Sequence, residues 1–275
     1  MAADHGDPAL DVLCLPFDTG VLAWPQAGGV LFLRARAGVV LRAAPRPGLV
    51  CEQSFRPAAD ALERDGWRVR DAQADDGTRH PLLLALPPRQ RDEARALFAR
   101  AVAQCAPGGT VVACMANDEG AKSGEADLKA LCGLSGTLSK QHCRVFWSTL
   151  DPARIDADLL SHWAALDAPR TLMPGTEDAF VSRPGVFAWD RIDAASALLV
   201  SHLPEDLAGR AADLGAGWGY LSRALLRRCP GIVSLDLYEA EARSLALART
   251  NLADAPIPVA FHWHDVTTGL PQRYD

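Results

Sequence analysis

Short apolar runs alternate with amphipathic stretches along most of this chain. Residues 30–33 (VLFL) and 49–52 (LVCE) predict short buried strands, and 57–64 predicts a helix that Pro57 opens and Gly66 closes. Further strands are predicted at 67–69 and 82–86. The latter, LLLAL, is apolar without alternation and stops at Pro87-Pro88, as a central parallel strand covered on both faces would. Residues 89–104 place Ala94, Leu97, Phe98, Ala101 and Val102 at helical spacing. Pro107-Gly108-Gly109 then turns the chain into a strand at 110–115, with a helix at 125–131 and a last strand at 144–148. The rhythm predicts a doubly wound α/β domain from about 10 to 150.

A short helix is predicted over 155–166, after which Pro169, Pro174-Gly175 and Pro184-Gly185 punctuate a linker. The α/β rhythm then restarts, with helices at 193–203, 220–228 and 240–250 and strands at 210–213, 232–238 and 258–263. The expected organisation is two tandem doubly wound α/β domains, 1–165 and 191–275, joined by a linker at 166–190. The second would hold only three strands by Asp275, leaving its first strand as an apolar edge. Truncation of a longer chain is the expectation that follows.

Composition narrows the function. The start, residues 1–8, has neither the basic residues nor the apolar run of a secretory signal, and no apolar run approaches bilayer length. A cytoplasmic chain, monomeric and away from membranes, is expected. The seven cysteines are scattered and never spaced as C-x-x-C, which argues for buried packing residues over a disulfide framework or zinc site. A net charge of −6 offers no general field for nucleic acid. The densest basic patch, Arg89, Arg91, Arg95 and Arg100, is interrupted by Asp92 and Glu93 and reads as a solvated helix face.

The chemistry concentrates in Asp213-Leu214-Gly215-Ala216-Gly217-Trp218-Gly219, between a predicted strand and a predicted helix. Alternate glycines let backbone turn tightly and approach a ligand, and the following helix offers free N–H groups. The spacing is G-x-G-x-G after an acid, where a dinucleotide site has G-x-G-x-x-G. An acid at Asp213 would repel a pyrophosphate but suit the ammonium of S-adenosylmethionine. Glu239, twenty residues after Gly219 at a strand end, is placed to accept from ribose hydroxyls, with Asp236 as competitor and a helix-capping role as the structural alternative. Asp265 can accept from an adenine amine or simply shape a turn. His262 and His264 share a strand face but lack a third ligand, so no metal is expected. Asn251 is read as capping the preceding helix.

These residues, with Pro184-Gly185-Val186-Phe187, Ile192-Asp193 and Tyr274-Asp275, resemble bacterial ribosomal small-subunit RNA guanine-N2 methyltransferases, which are built from two tandem class I methyltransferase-like domains. The resemblance implies S-adenosylmethionine as cofactor and guanine N2 of 16S ribosomal RNA, in the small ribosomal subunit, as target. It assigns cofactor binding to Asp213, Gly215, Gly217, Gly219, Glu239 and Asp265, with Asp193 closing the pocket edge. It also implies an Asn-Pro-Pro-aromatic motif a few residues past Tyr274-Asp275, where the asparagine would orient the target amine; the chain ends first, and no catalytic residue is assigned. In the first half, Arg34-Ala35-Arg36-Ala37-Gly38 stands at the place of a cofactor turn and Leu86-Pro87-Pro88-Arg89 at that of the substrate motif, so that domain is expected to be a degenerate copy. Rival readings are a methyltransferase of another substrate class, a non-catalytic RNA- or protein-binding scaffold, and a nicotinamide-dependent oxidoreductase.

Overall fold

The computed structural model describes residues 6–70, 77–176 and 179–275, so residues 1–5 of the start and residues 177 and 178 of the expected linker lie outside the described residues. The chain divides into two compact units, Met1–Gln53 with Ala58–Asp167, and Ser54–Pro57 with Ala168–Asp275.

The first unit opens on a helix that the sequence reading did not include, α1 (Pro8–Asp18). Its start is specified locally: the Asp7 side chain accepts from the N–H groups of Ala9 and Leu10, both at 3.1 Å, and proline takes the first helical position. There follow β1 (Val30–Leu33), α2 (Val39–Arg42), β2 (Leu49–Glu52), α3 (Arg56–Arg64), β3 (Arg68–Arg70), β4 (His80–Ala85), α4 (Arg91–Gln104), β5 (Cys105–Ala116), α5 (Ala121–Cys132), β6 (Gly136–Lys140), β7 (Cys143–Thr149) and α6 (Ala157–Ala164).

These strands form one seven-stranded sheet in the order β3-β2-β1-β4-β5-β7-β6. The unbroken apolar runs have the cause expected of them. Val30, Phe32, Leu82, Leu84 and Val112 pack on one face with Leu10 and Leu13 of α1, while Leu31, Leu33, Leu83, Ala85 and Val111 pack on the other with Phe98, Leu128 and Trp163. Both faces are covered, so alternation disappears from the sequence. The sheet is mixed: β7 runs antiparallel to β5 and to β6. Gln141 and His142, with φ of 50° and 57°, join β6 to β7 in a two-residue turn whose left-handed backbone matches the twist of a hairpin.

The second unit contains β8 (Arg170–Leu172), β9 (Phe180–Ser182), α7 (Ala194–His202), β10 (Ala208–Leu214), α8 (Tyr220–Arg228), β11 (Gly231–Glu239), α9 (Ala242–Asn251) and β12 (Val259–Trp263). The stretch read as a linker folds in part: β8 and β9 pair antiparallel. Strands β10, β11 and β12 are parallel neighbours in that order. Leu235 and Leu237, with Val259 and Phe261, bury one face against Leu245 and Ala248 of α9, Leu252 just beyond it and Leu225 of α8. The other face carries a polar cluster. Asp236 meets His262 Nε2 at 2.7 Å and accepts from Gln272 at 2.7 Å and Tyr274 at 3.1 Å, while Tyr238 stacks on His262. Strand β10 is an edge, where Leu214 is 52% exposed and the Asp275 N–H donates to Arg210 O at 3.1 Å.

Candidate functional site: the glycine turn of the second unit

Parallel strands end together, so β10, β11 and β12 deliver the glycine turn, Glu239 and Asp265 to one edge of their sheet, the edge where open α/β sheets bind ligands. The turn is anchored from below. The Gly215 and Ala216 N–H groups both donate to Tyr238 O, at 2.8 and 3.1 Å. Gly215, Gly217 and Gly219 all lie in the left-handed region, at φ of 76°, 56° and 90°. Their surroundings divide them. A Cβ at Gly215 or Gly217 would meet no protein atom within 4 Å, whereas one at Gly219 would meet Ala248 and Leu252 at 3.4 Å. The first two glycines therefore open the backbone outward, and the third admits the start of α8 against α9.

Glu239 closes the other side of the turn. Its Oε2 accepts from the Gly217 N–H and its Oε1 from the Glu241 N–H, both at 2.7 Å. Glu239 is not the helix cap: the cap of α9 is Glu241, which accepts from the Arg243 N–H. Asp213, at the end of β10, accepts from the Ser222 hydroxyl at 2.6 Å; burial pushes its carboxyl above the ordinary value, against the hydrogen bonds from Ser222. Asp193 caps α7, accepting from the Ser196 N–H at 2.9 Å, which with the Ser196 hydroxyl holds its carboxyl below the ordinary value. It lines a cavity of about 70 Å³ together with Phe187, Gly215, Gly217 and Trp218. Ligand pockets usually measure at least ~300 Å³, so this cavity can enclose only part of a ligand.

Asp213, Gly215, Gly217, Gly219, Glu239 and Asp193 thus stand around one turn. Asp265 stands two strands away; the His264 N–H links its strand end to Glu239 O at 3.1 Å, while the Asp265 carboxylate accepts from the Thr267 N–H and hydroxyl, which hold it below its ordinary value. These contacts are those of a turn aspartate. Asp236, the competitor to Glu239, points to the opposite face and joins the His262 cluster. His264 Nε2 lies 2.7 Å from Gly269 O, and among the described residues no group of three His, Cys, Asp or Glu could hold a metal.

One residue has a different role from the one the sequence suggested, and two more carry roles the sequence did not reveal. Asn251 does not cap its helix: its amide donates to Val181 O and Trp218 O, at 2.9 and 2.8 Å, and its oxygen accepts from the Val181 N–H at 2.7 Å, so it braces the β8–β9 hairpin to the glycine turn. Ser222, the partner of Asp213, is buried within α8. Trp218 is buried against Phe180 and Tyr220 and donates to Phe187 O at 3.2 Å. An aromatic between glycines was the one available signal.

Among the described residues of the first unit, the corresponding turn is not open. Arg34, with φ of 54°, occupies the turn after β1 and pairs with Glu93 at 3.2 Å. Glu52, buried at the end of β2, is held by Arg70 at 3.2 Å and Arg100 at 2.6 Å. Arg91 and Arg95 both bind Asp127. The arginine row read as a solvated face is therefore largely engaged with buried carboxylates.

A parallel sheet ending in a glycine cradle beside an acidic strand end is the arrangement of class I, Rossmann-like methyltransferases. Comparison with known proteins agrees. Residues 177–275 match the methyltransferase small domain family. Ribosomal RNA small subunit methyltransferase C of Psychromonas ingrahamii is 26% identical over 199 residues, covering 72% of this chain and 56% of that protein. The protein of the same name from Sodalis glossinidius is 32% identical over 161 residues, 58% of this chain and 43% of that protein. In fold, the chain matches the T. thermophilus 16S rRNA N2 G1207 methyltransferase (RsmC), solved with AdoMet and guanosine, at a TM-score of 0.77 and 20% identity, over 99% of this chain and 74% of that one. The chain is similar to this RsmC-like family, and it spans about half the length of the curated relatives it matches.

Proposed function

We propose that the chain carries the cofactor-binding part of an S-adenosylmethionine-dependent methyltransferase that acts on ribosomal RNA, with guanine N2 of 16S rRNA as the target. The observation that carries the reading is the Gly217 amide. It lies on an outward-open left-handed turn, where a Cβ would meet nothing, and it is hydrogen-bonded to the carboxylate that ends the next strand. Such a cradle suits a ligand that bears hydroxyl donors and a cationic amino-acid tail. Glu239 would accept from the ribose hydroxyls, Asp213 and Asp193 would favour the ammonium electrostatically, and Asp265 would stand toward the adenine. The open backbone at Gly215 and Gly217 would border the amino-acid portion. Bound there, the cofactor would supply a sulfonium methyl group to an oriented guanine amine: the N–C bond would form as the S–C bond breaks, the thioether would leave, and the amine would lose a proton.

The substrate reading rests on the relatives, whose names specify small-subunit ribosomal RNA. Titration calorimetry with S-adenosylmethionine and with NADH tests the cofactor reading. Micromolar binding of the first alone is expected. Binding of NADH alone would move the chain to the oxidoreductases, and binding of neither would leave a scaffold.

A further inference from the structure

The first unit has a surface cavity of about 470 Å³ whose charge is unlike that of the chain as a whole. It is lined by Lys122, Glu125 and Lys129 of α5, by Gly133 just beyond it, and by Arg154 from the turn after β7. The chain has only three lysines, and two of them meet here, two helical turns apart on one face. The one acid in the lining, Glu125, is bound to Arg144, itself a cation. The nearby acids of the 151–156 turn are caps: Asp151 accepts from the Ala153 N–H and Asp156 from the Leu159 N–H. Among the described residues, the side chains of Lys122, Lys129 and Arg154 have no ion-pair partner. Arg154 is also seated: its guanidinium lies over Gly133, in space that any Cβ would occupy.

We infer that this cavity is a phosphate-docking site for the RNA backbone. Three cations converge on a concave surface of a protein whose net charge is −6, so this cavity offers a polyanion a local attraction that the chain's overall charge does not. Contacts of this type bind phosphate without reading bases; they fix where the RNA lies, and they release counterions. The inference rests on the ribosomal RNA reading for the identity of the polyanion. It does not rest on the glycine turn.

The test is fluorescence anisotropy of a labelled RNA hairpin with the whole chain, at several salt concentrations. The variants are K122Q/K129Q, which leaves the Arg154–Gly133 packing intact, the triple K122Q/K129Q/R154Q, and K140Q, which removes the lysine outside the cavity. The triple variant is expected to bind about tenfold or more weakly whatever the RNA sequence, with a log–log salt slope smaller by about 2. The double variant should lie between, and K140Q should match the unaltered chain. Equal slopes and affinities for all four proteins overturn the site, as does an equal loss in K140Q. A phosphopeptide whose binding needs these residues while RNA binding does not would overturn it too. S-adenosylmethionine calorimetry on the same samples reads the cofactor site separately. Normal cofactor binding with no change in RNA binding sinks the docking site alone, and absent cofactor binding with a changed salt slope sinks only the methyltransferase reading.

Discussion

The Gly217 N–H donates to Glu239 Oε2 at 2.7 Å, so the open turn and the strand-end acid are one unit before any ligand arrives. The other carboxylate oxygen accepts from the Glu241 N–H at the same distance. Both oxygens face backbone donors, and Glu239→Gln must turn an NH2 group toward one of them. Losing one hydrogen bond to a charged acceptor costs about 1.5–3 kcal/mol. The expected result is a melting temperature lower by roughly 3–8 °C and S-adenosylmethionine affinity lower by roughly 10- to 100-fold. Calorimetry reads both, and an affinity unchanged by the substitution would remove Glu239 from the cofactor site.

Gly217 and Gly219 differ in what surrounds them, and the difference can be measured. Gly217→Leu extends into open space, so its effect on stability is the left-handed backbone alone, about 1–2 kcal/mol. Gly219→Leu bears a similar strain and also presses on Ala248 and Leu252 at 3.4 Å, in the packing of α8 on α9. Overpacking adds about 1–3 kcal/mol. Denaturant unfolding should therefore rank Gly219→Leu as the less stable protein. Gly217→Leu should stay folded and lose cofactor affinity by about 100-fold or more, as a side chain in the cradle blocks the approach of ligand to backbone.

Asp213 makes a pH prediction whose sign is fixed by its environment. Burial raises its carboxyl above the ordinary value of 3.8, outweighing the Ser222 hydrogen bonds. A group with a raised folded value contributes stability that is complete below the unfolded value and is lost as pH climbs through the folded one. Asp213→Asn keeps an oxygen for the Ser222 hydroxyl and abolishes the titration. Relative to the unaltered chain, the variant should gain stability as pH climbs upward from about 4, as urea unfolding across that window would record. Its cofactor affinity should fall by roughly 10- to 100-fold, since the ammonium loses an acidic neighbour. A constant stability difference across the window would contradict the assignment of a raised carboxyl.

What the sequence showed and what it hid have separate causes. The central strands were readable because Leu31, Leu83 and their neighbours are buried on both faces, which leaves an unbroken apolar signature. The glycine turn was readable because its requirement is local: left-handed backbone at alternate positions. The β6–β7 hairpin was hidden because Gln141 and His142 hold a turn that Asn-Gly would have advertised. Asp7-Pro8 did advertise α1, in a stretch whose reading was confined to targeting signals. Partnerships formed across long loops left no local trace. Asp127 neutralises Arg91 and Arg95 from more than thirty positions away, which is why an engaged arginine row looked solvated. Asn251 finds Val181 seventy positions back, so its side chain looked like a helix end.

That brace yields the sharpest stability contrast in the second unit. The Asn251 amide gives both protons to carbonyls, Val181 O and Trp218 O, and its oxygen takes the Val181 N–H. Asn251→Ala leaves three half-buried backbone groups to water and should cost about 2–3 kcal/mol. Asn251→Asp preserves shape, yet an ionised carboxylate would face two carbonyl oxygens where it can donate nothing. The near-isosteric variant should therefore be the more damaging of the two at neutral pH, and should recover toward the alanine variant as acid protonates the carboxyl. Because the brace ends on Trp218, both variants should also loosen the glycine turn, which hydrogen exchange at Gly217 and Gly219 would detect as faster opening. Were Asn251→Asp the milder substitution at neutral pH, the amide could not be the double donor that ties the hairpin to the turn.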